Sequence, residues 1–259
     1  MEGPPSQTAS RGSANTANRP ILWGFPCGST LDTDWGGWVC GFMDRTRHLT
    51  SMPLFARQAG RIDIARSYLL EMAKAQPKFK ELLTFDTDVM FHDSKCPGGC
   101  DHEVQGLDLV QEYLEEDFAL GFDVVHAPVL NTHGNPSFGF RVPNGWLGVS
   151  DVRAFPADWC TGAFLAFSRK AIDTIRPITE IKNQDGSKVK LYCRMLPETT
   201  EDYDLCENLS KCGLRLGVDP RLIAGHHKGF TQYAQPGSWH VMRNAFAEAL
   251  EKRAARLKG

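Results

Sequence analysis

The sequence predicts an α/β fold: a single domain with a mostly parallel central sheet and helices on both faces. Two observations predict it. Through the first half of the chain, short apolar runs alternate with amphipathic stretches of helical spacing, the pattern of strands joined by crossover helices. The breaks after two of those runs, Pro26 to Thr30 and Asp86 to Asp88, are polar, as expected where ligands bind beyond the carboxyl ends of parallel strands. A chain of 259 residues, 42% hydrophobic and 23% charged, suits one such domain with a substantial core.

Ile21-Leu22-Trp23-Gly24-Phe25 is an apolar run stopped by Pro26-Cys27-Gly28, a buried strand delivering a loop. Asp34 to about Leu49 carries Trp35, Trp38, Val39 and Phe42 at helical spacing. Pro53 to Ala56 is a second strand, and Asp63 to Ala75 an amphipathic helix through Ile64, Tyr68, Leu69 and Met72. Glu81 to Phe85 is a third strand, residues 105–120 a helix, and Phe122 to Val129 a fourth strand. Asn131 to Asn144, rich in Gly, Pro, His and Asn, reads as a long loop.

Trp159 to Phe167 reads as a strand entered through a small-residue turn, with a short helix from Arg169. Residues 182–188 form a polar turn. Thr199 or Thr200 caps a helix running to Cys212, with Gly213 as its left-handed stop. Leu214 to Val218 is a further strand, and a last helix spans about 238–257. Residues 1–19 are a polar, disordered tail, 20–235 the domain, and 236–259 the terminal helix.

A net charge of −2 and a pI near 6.4 give no general attraction to nucleic acid, which is not an expected partner. No apolar stretch reaches the roughly 18 residues needed to cross a bilayer, and no secretion signal is evident. The expected setting is therefore cytoplasmic, without membrane insertion, and the eight cysteines are expected as free thiols.

Asp86-Thr87-Asp88 carries the main chemical signal. Departure of a nucleoside diphosphate requires a partner for the charge that builds on it, and a hard divalent cation held by carboxylates serves that need. A second copy, Asp32-Thr33-Asp34, precedes a helix, where capping and the helix dipole explain it. Arg61 and Arg66 would suit bidentate contacts to a diphosphate, or solvated helix ends. Trp146 and Trp159 would stack on a sugar or serve the core. Cys96 to Cys100 with His102 lacks a matching second pair for zinc.

In order and spacing, these pieces resemble the GT-A-fold glycosyltransferases, a Rossmann-like class. Pro26-Cys27-Gly28-Ser29-Thr30 looks like that family's base-binding loop. Arg61 to Arg66 resembles its donor-contacting segment, Leu82 to Asp88 its metal-binding DxD motif, and Trp159 to Phe164 its turn beneath the acceptor. Glu201-Asp202 followed by Gly213 to Leu216 looks like the xED helix and its strand. Gly225-His226-His227 matches a strand whose His completes the metal site. Cys27 and the Cys96 to Cys100 loop depart from the family.

The resemblance implies a hexosyltransferase acting on a nucleotide-sugar donor, a UDP-sugar, with Mn²⁺ or Mg²⁺. It assigns Pro26, Gly28, Thr30, Asp63, Arg66, Asp86 and Gly162 to the donor, and Asp86, Asp88 and His226 to the metal, with His227 as the alternative. Asp202 is the catalytic base in an inverting enzyme, with Glu201 as its substitute, or an acceptor holder in a retaining one. The acceptor is left open. Two rivals stand beside this reading: a haloacid-dehalogenase-type phosphatase with Asp86 as nucleophile, and a non-catalytic nucleotide-sugar or glycan-binding module.

Overall fold

A computed structural model describes residues 21–27, 52–57, 61–91, 107–129, 137–141, 149–150, 153–182, 186–197, 199–222, 224–227 and 231–233. The expected tail, the helices at 34–49 and 238–257, and the Cys96 to Cys100 loop lie outside them.

In chain order the elements are β1 (Ile21–Cys27), β2 (Met52–Arg57), α1 (Ile62–Lys74), β3 (Glu81–Phe85), β4 (Val89–Phe91), α2 (Leu107–Ala119) and β5 (Val124–His126). There follow β6 (Phe138–Gly139), β7 (Phe155–Pro156), β8 (Trp159–Cys160), β9 (Phe164–Ser168) and α3 (Arg169–Thr174). The chain continues through β10 (Thr179–Lys182), β11 (Lys188–Leu191), α4 (Glu201–Lys211), β12 (Leu216–Val218), β13 (Ala224–His227) and β14 (Thr231–Tyr233).

The central sheet has seven strands in the order β2-β1-β3-β9-β5-β12-β7. Strands β2, β1, β3, β5 and β12 share one direction, while β9 and β7 run against it. The sheet is thus mostly parallel, with an antiparallel strand near its centre. Alternation along the strands feeds two cores. Leu22, Leu82, Val124 and Leu165 face a layer holding α1, α3 and α4. Ile21, Trp23, Phe25, Leu83, Phe85, Val125 and Phe164 face the layer of α2. Helices therefore cover both faces, which is why these strands are apolar at nearly every position. Phe85 ties the second core together, 5.6 Å from Trp23, 5.8 Å from Phe25 and 5.0 Å from Phe164 between ring centroids.

Helix ends follow local chemistry. Ser168 caps α3 by accepting from the Ala171 amide at 3.1 Å. Thr200 occupies the cap position of α4 without a side-chain bond, and Glu201, Asp202 and Asp204 in the first turn offset the dipole instead. Gly213, at φ +72°, ends α4, with the Leu214 amide donating to Leu209 O at 3.0 Å.

The small-residue turn expected before a strand lies at Thr161-Gly162-Ala163 and leads into β9 of the central sheet; Trp159 and Cys160 before it form a separate strand, β8, which pairs with β6 and was not expected. The polar turn expected at 182–188 joins β10 to β11, two short strands that were not expected. Residues 138–139, inside the expected loop, form β6.

Gly217 in β12 lies against Phe122, where an added Cβ would meet the ring at 2.7 Å. Gly217→Ala is expected to destabilise the fold by about 1–3 kcal/mol, the usual cost of overpacking. Urea unfolding reads this directly; an unchanged midpoint would mean that the Phe122 ring turns aside freely.

Candidate active site

The chain leaves β3 at Asp86-Thr87-Asp88. The Asp86 amide donates to Ala163 O at 3.0 Å, extending the ladder with β9, and the Val89 amide closes the turn onto Asp86 O at 3.0 Å. Both carboxylates therefore sit just beyond the carboxyl end of a central strand. From this turn the chain enters β4, which joins a three-stranded sheet in the order β14-β13-β4. His226 is paired in register with Val89, the residue after Asp88. The backbone thus brings β13 beside the acidic turn; the imidazoles at 226 and 227 lie outside the described side chains.

Arg66 of α1 organises the rest. Its side chain is 4% exposed. Nη1 donates to Gly162 O at 2.7 Å, and Nη2 contacts Asp86 Oδ1 at 2.9 Å and Oδ2 at 3.1 Å. Asp202 Oδ1 and Glu201 Oε1, in the first turn of α4, lie 3.5 and 3.7 Å from the same Nη2. Gly162 makes this possible, since a Cβ there would fall 2.2 Å from the guanidinium carbon. The turn between β8 and β9 therefore carries a residue without a side chain where the guanidinium docks.

One guanidinium faces three carboxylates, an excess of two negative charges when all are ionised. Burial opposes the Arg66 charge, but Asp86, Asp202 and Glu201 outweigh it and raise its pKa. Burial, with Asp202 and Asp88 nearby, pushes Asp86 up to about 6 against the pull of Arg66. Its side chain keeps 26% of its surface, so solvent moderates that rise. Burial and then the Asp202 charge push Glu201 up to about 7.

Asp63 plays a different part from the one expected. It is 1% exposed, accepts from Arg61 Nε and Nη2 at 2.9 and 2.8 Å, and takes the Met195 amide at 3.3 Å. Its carboxylate joins the start of α1 to the segment before α4. Pro26 is buried at the end of β1; Gly28, Thr30 and Trp146 lie outside the described residues. Cys160, Cys193, Cys206 and Cys212 are free thiols. Among the described residues, no helix is long and apolar enough to cross a membrane.

The sequence offered no signal for His126 and Ser137. His126 is fully buried, with Nδ1 2.9 Å from Phe164 O and Nε2 2.8 Å from Ser137 Oγ. A carbonyl only accepts, so Nδ1 carries the proton and the Ser137 hydroxyl donates to Nε2. Burial holds His126 down at about 4. Ser137 O in turn accepts the Thr161 amide at 2.7 Å, so this buried pair sets the turn that carries Gly162.

The donor set at 86–88 is composed of hard oxygens, which suits a divalent cation such as Mn²⁺ or Mg²⁺. The local excess of negative charge favours one too. A carboxylate has about four acceptor sites, so the Arg66 contacts leave part of Asp86 available. Among the described residues no group of three ligating side chains converges; further ligands have to come from β13 or from phosphate oxygens.

Fold and site together define an α/β protein with a buried arginine–carboxylate centre beyond the ends of its parallel strands. Among solved structures it is similar to A197 from STIV, with 15% identity, a TM-score of 0.52, and coverage of 81% of this chain and 86% of that one. A Drosophila β1,4-galactosyltransferase 7 catalytic domain in complex with xylobiose also matches, at 9% identity and TM-score 0.39, over 80% of this chain and 70% of that one. A mutant of that enzyme with manganese, UDP-Gal and xylobiose matches at 9% and 0.38, over 77% and 64%. No protein-family model matches the sequence, and no curated protein does.

Gly162→Ala is expected to displace the Arg66 guanidinium and leave partly buried carboxylates without their cation, at a cost of about 1–3 kcal/mol. A loss below about 1 kcal/mol by urea unfolding would contradict that packing. Glu201 supplies a pH test. Its folded pKa, about 7, lies above the ordinary 4.5, so the folded chain binds this proton more tightly. The resulting stability is present in full below about pH 4.5 and is lost as pH rises through about 7. Between those values the wild type should lose more stability than Glu201→Gln; parallel pH profiles would refute the assignment.

Proposed function

We propose that this protein is a glycosyltransferase that moves a hexose from a nucleotide-diphosphate sugar, with a UDP-sugar as the expected donor, to an acceptor hydroxyl. The observation that carries the reading is the gathering of Arg66, Asp86, Glu201 and Asp202 within 2.9–3.7 Å beyond the end of β3. These groups come from three separate parts of the fold, and their negative charge excess favours a cation, which once bound could receive the oxygens of a diphosphate. Asp86 and Asp88, with His226, would hold Mn²⁺ or Mg²⁺, which when bound supplies Lewis-acid stabilisation of the departing diphosphate.

In this reading the loop at Pro26, Gly28 and Thr30 receives the base. Arg66 holds Asp86 in place and, with Gly162, shapes the donor side of the cleft, while Asp63 acts through the loop it fastens. Asp202, with an oxygen that makes no hydrogen bond, takes the proton of the acceptor hydroxyl. The acceptor oxygen then bonds to the anomeric carbon as the bond to the diphosphate breaks, and the diphosphate leaves with that electron pair. Glu201, which raises its affinity for a proton beside Asp202, tunes the pair.

Hydrolysis of UDP-, GDP- and dTDP-sugars with Mn²⁺ tests the reading. Turnover of at least one donor is expected, falling about 100-fold or more in Asp88→Ala, on the scale of losses at metal sites. Donor hydrolysis that is indifferent to Mn²⁺ and to Asp88→Ala would end the metal assignment. Release of phosphate from a generic ester with Mg²⁺, and no donor turnover, would return the phosphatase.

A further inference from the structure

After β12 the chain turns at Asp219 on its way to β13. The turn is tied down at several points. The Asp219 amide donates to His126 O of β5 at 3.0 Å, and the Leu222 amide donates to Asp219 O at 3.2 Å. The Arg221 amide donates to Asp219 Oδ1 at 2.9 Å. Leu222 of the turn and Ala224, which opens β13, are wholly buried in the core on the α2 side. This turn delivers β13, whose His226 pairs in register with Val89 beside the acidic turn.

Arg221 fastens the turn to α2. Its Nε donates to Asp219 Oδ1 at 3.0 Å, and its Nη2 donates to Asp219 Oδ2 at 2.9 Å and to Asp117 Oδ1 at 3.0 Å. Nη1 donates to Glu116 Oε2. The guanidinium lies over the Tyr113 ring, 4.2 Å from its centroid. The Asp117 and Asp219 side chains are both 0% exposed, whereas Glu116 keeps 47% of its surface. One cation therefore faces two carboxyl groups that are shut off from solvent.

That arrangement suits a carboxylate beside a carboxylic acid better than two carboxylates. Asp117 Oδ2 is buried and accepts from no nitrogen or hydroxyl donor. Asp117 also meets the Asp219 side chain in a hydrogen bond, and two carboxyl groups make one only with a proton between them. Burial and then the Asp219 charge raise the Asp117 pKa far above its ordinary 3.8, against the pull of Arg221. Among the described residues, Arg221, Glu116 and Tyr113 are the other titratable groups facing the pair. His126 meets it through a backbone oxygen, with its imidazole engaged by Phe164 O and Ser137 Oγ.

We infer that Asp117 and Asp219 share one proton, and that this proton lets Arg221 clamp the β12–β13 turn to α2. Asp117 is a positioning residue, acting through Asp219 on β13. Loss of the proton leaves two like charges buried against one cation, and the turn opens to let water reach them. The proton is held more tightly in the closed turn than in the open one. Its contribution is complete below about pH 3.8 and is lost as pH rises through the raised value. This clamp is a property of the fold and does not depend on the transferase reading.

Two measurements on the full chain test it. The side-chain carboxyl carbons of Asp117 and Asp219 are followed by ¹³C NMR across the acid and neutral range. The pair is expected to release one proton in acid and to keep the other past neutrality. Release of both below about pH 5, as for ordinary carboxyls, would overturn the proposal. Amide hydrogen exchange then reads the turn. Corrected for intrinsic exchange chemistry, opening at Ala224–His227 should rise with pH by up to about tenfold per pH unit, the limit for one proton.

The β10–β11 hairpin, packed on Ile64 of α1 through Val189 and Leu191, should show no such dependence. Asp117→Asn keeps the shape and supplies a permanent donor. It should flatten the β13 profile and leave that of the hairpin unchanged. A proton held at neutrality with β13 opening that ignores pH would overturn the clamp. A wild-type dependence that survives in Asp117→Asn would overturn it too. Should that variant fail to fold, the wild-type titration and the contrast between β13 and the hairpin still decide the outcome.

Discussion

Arg66 reaches from α1 into the space between the end of β3, the turn before β9 and the start of α4, and its guanidinium is where these three pieces meet. It holds the Gly162 carbonyl with one nitrogen and Asp86 with the other, within reach of Glu201 and Asp202. Each partner would be costly without it. A carboxylate taken from water needs a compensating charge and hydrogen bonds, and the carboxylates outnumber the cation that serves them.

That imbalance links stability to function. A centre optimised only for stability would match its charges. Here Asp86 and Glu201 both bind protons more readily than free carboxyls do, first because burial penalises their charged forms and then because Asp202 lies beside them. Such tension is common at sites adapted to a ligand rather than to the empty fold. The sheet tolerates it because the cores on its two faces are continuous and apolar, and because strand ends keep the polar groups at their margin. The buried His126–Ser137 pair stiffens the same margin from behind, through the Thr161 amide.

Much of the framework was legible in the sequence. Glu81–Phe85 is a strand with the expected bounds, α1 and α2 fall within two residues of expectation, and α4 stops at Gly213 as its left-handed geometry demands. These elements are set by local forces: runs of apolar residues, helical spacing, and glycine at a positive φ. Expectation failed where local signals are weak. The hairpin of β10 and β11 is built from strands of four residues each, and β10 is almost wholly exposed, so the alternation of β11 alone is too short to stand out. Nothing local announced that Trp159 and Cys160, before the expected small-residue turn, pair with β6, or that Arg66, 96 residues earlier in the chain, holds the Gly162 carbonyl of that turn. Nor did local spacing announce that Asp63, read as a donor contact, would give both its oxygens to Arg61 and Met195.

The sequence alone determined the α/β class, the position of Asp86-Thr87-Asp88 after a buried strand, and the acid-rich start of α4, because periodicity and turn chemistry act between near neighbours. Only the tertiary structure decided that Arg66 joins Asp86, Gly162, Glu201 and Asp202, that β9 runs against its neighbours, and that Arg221 brings Asp117 beside Asp219. Those outcomes depend on which distant segments share the same few ångströms. Charge pairing, steric fit around a missing Cβ and strand register operate there, and none leaves a mark in local composition.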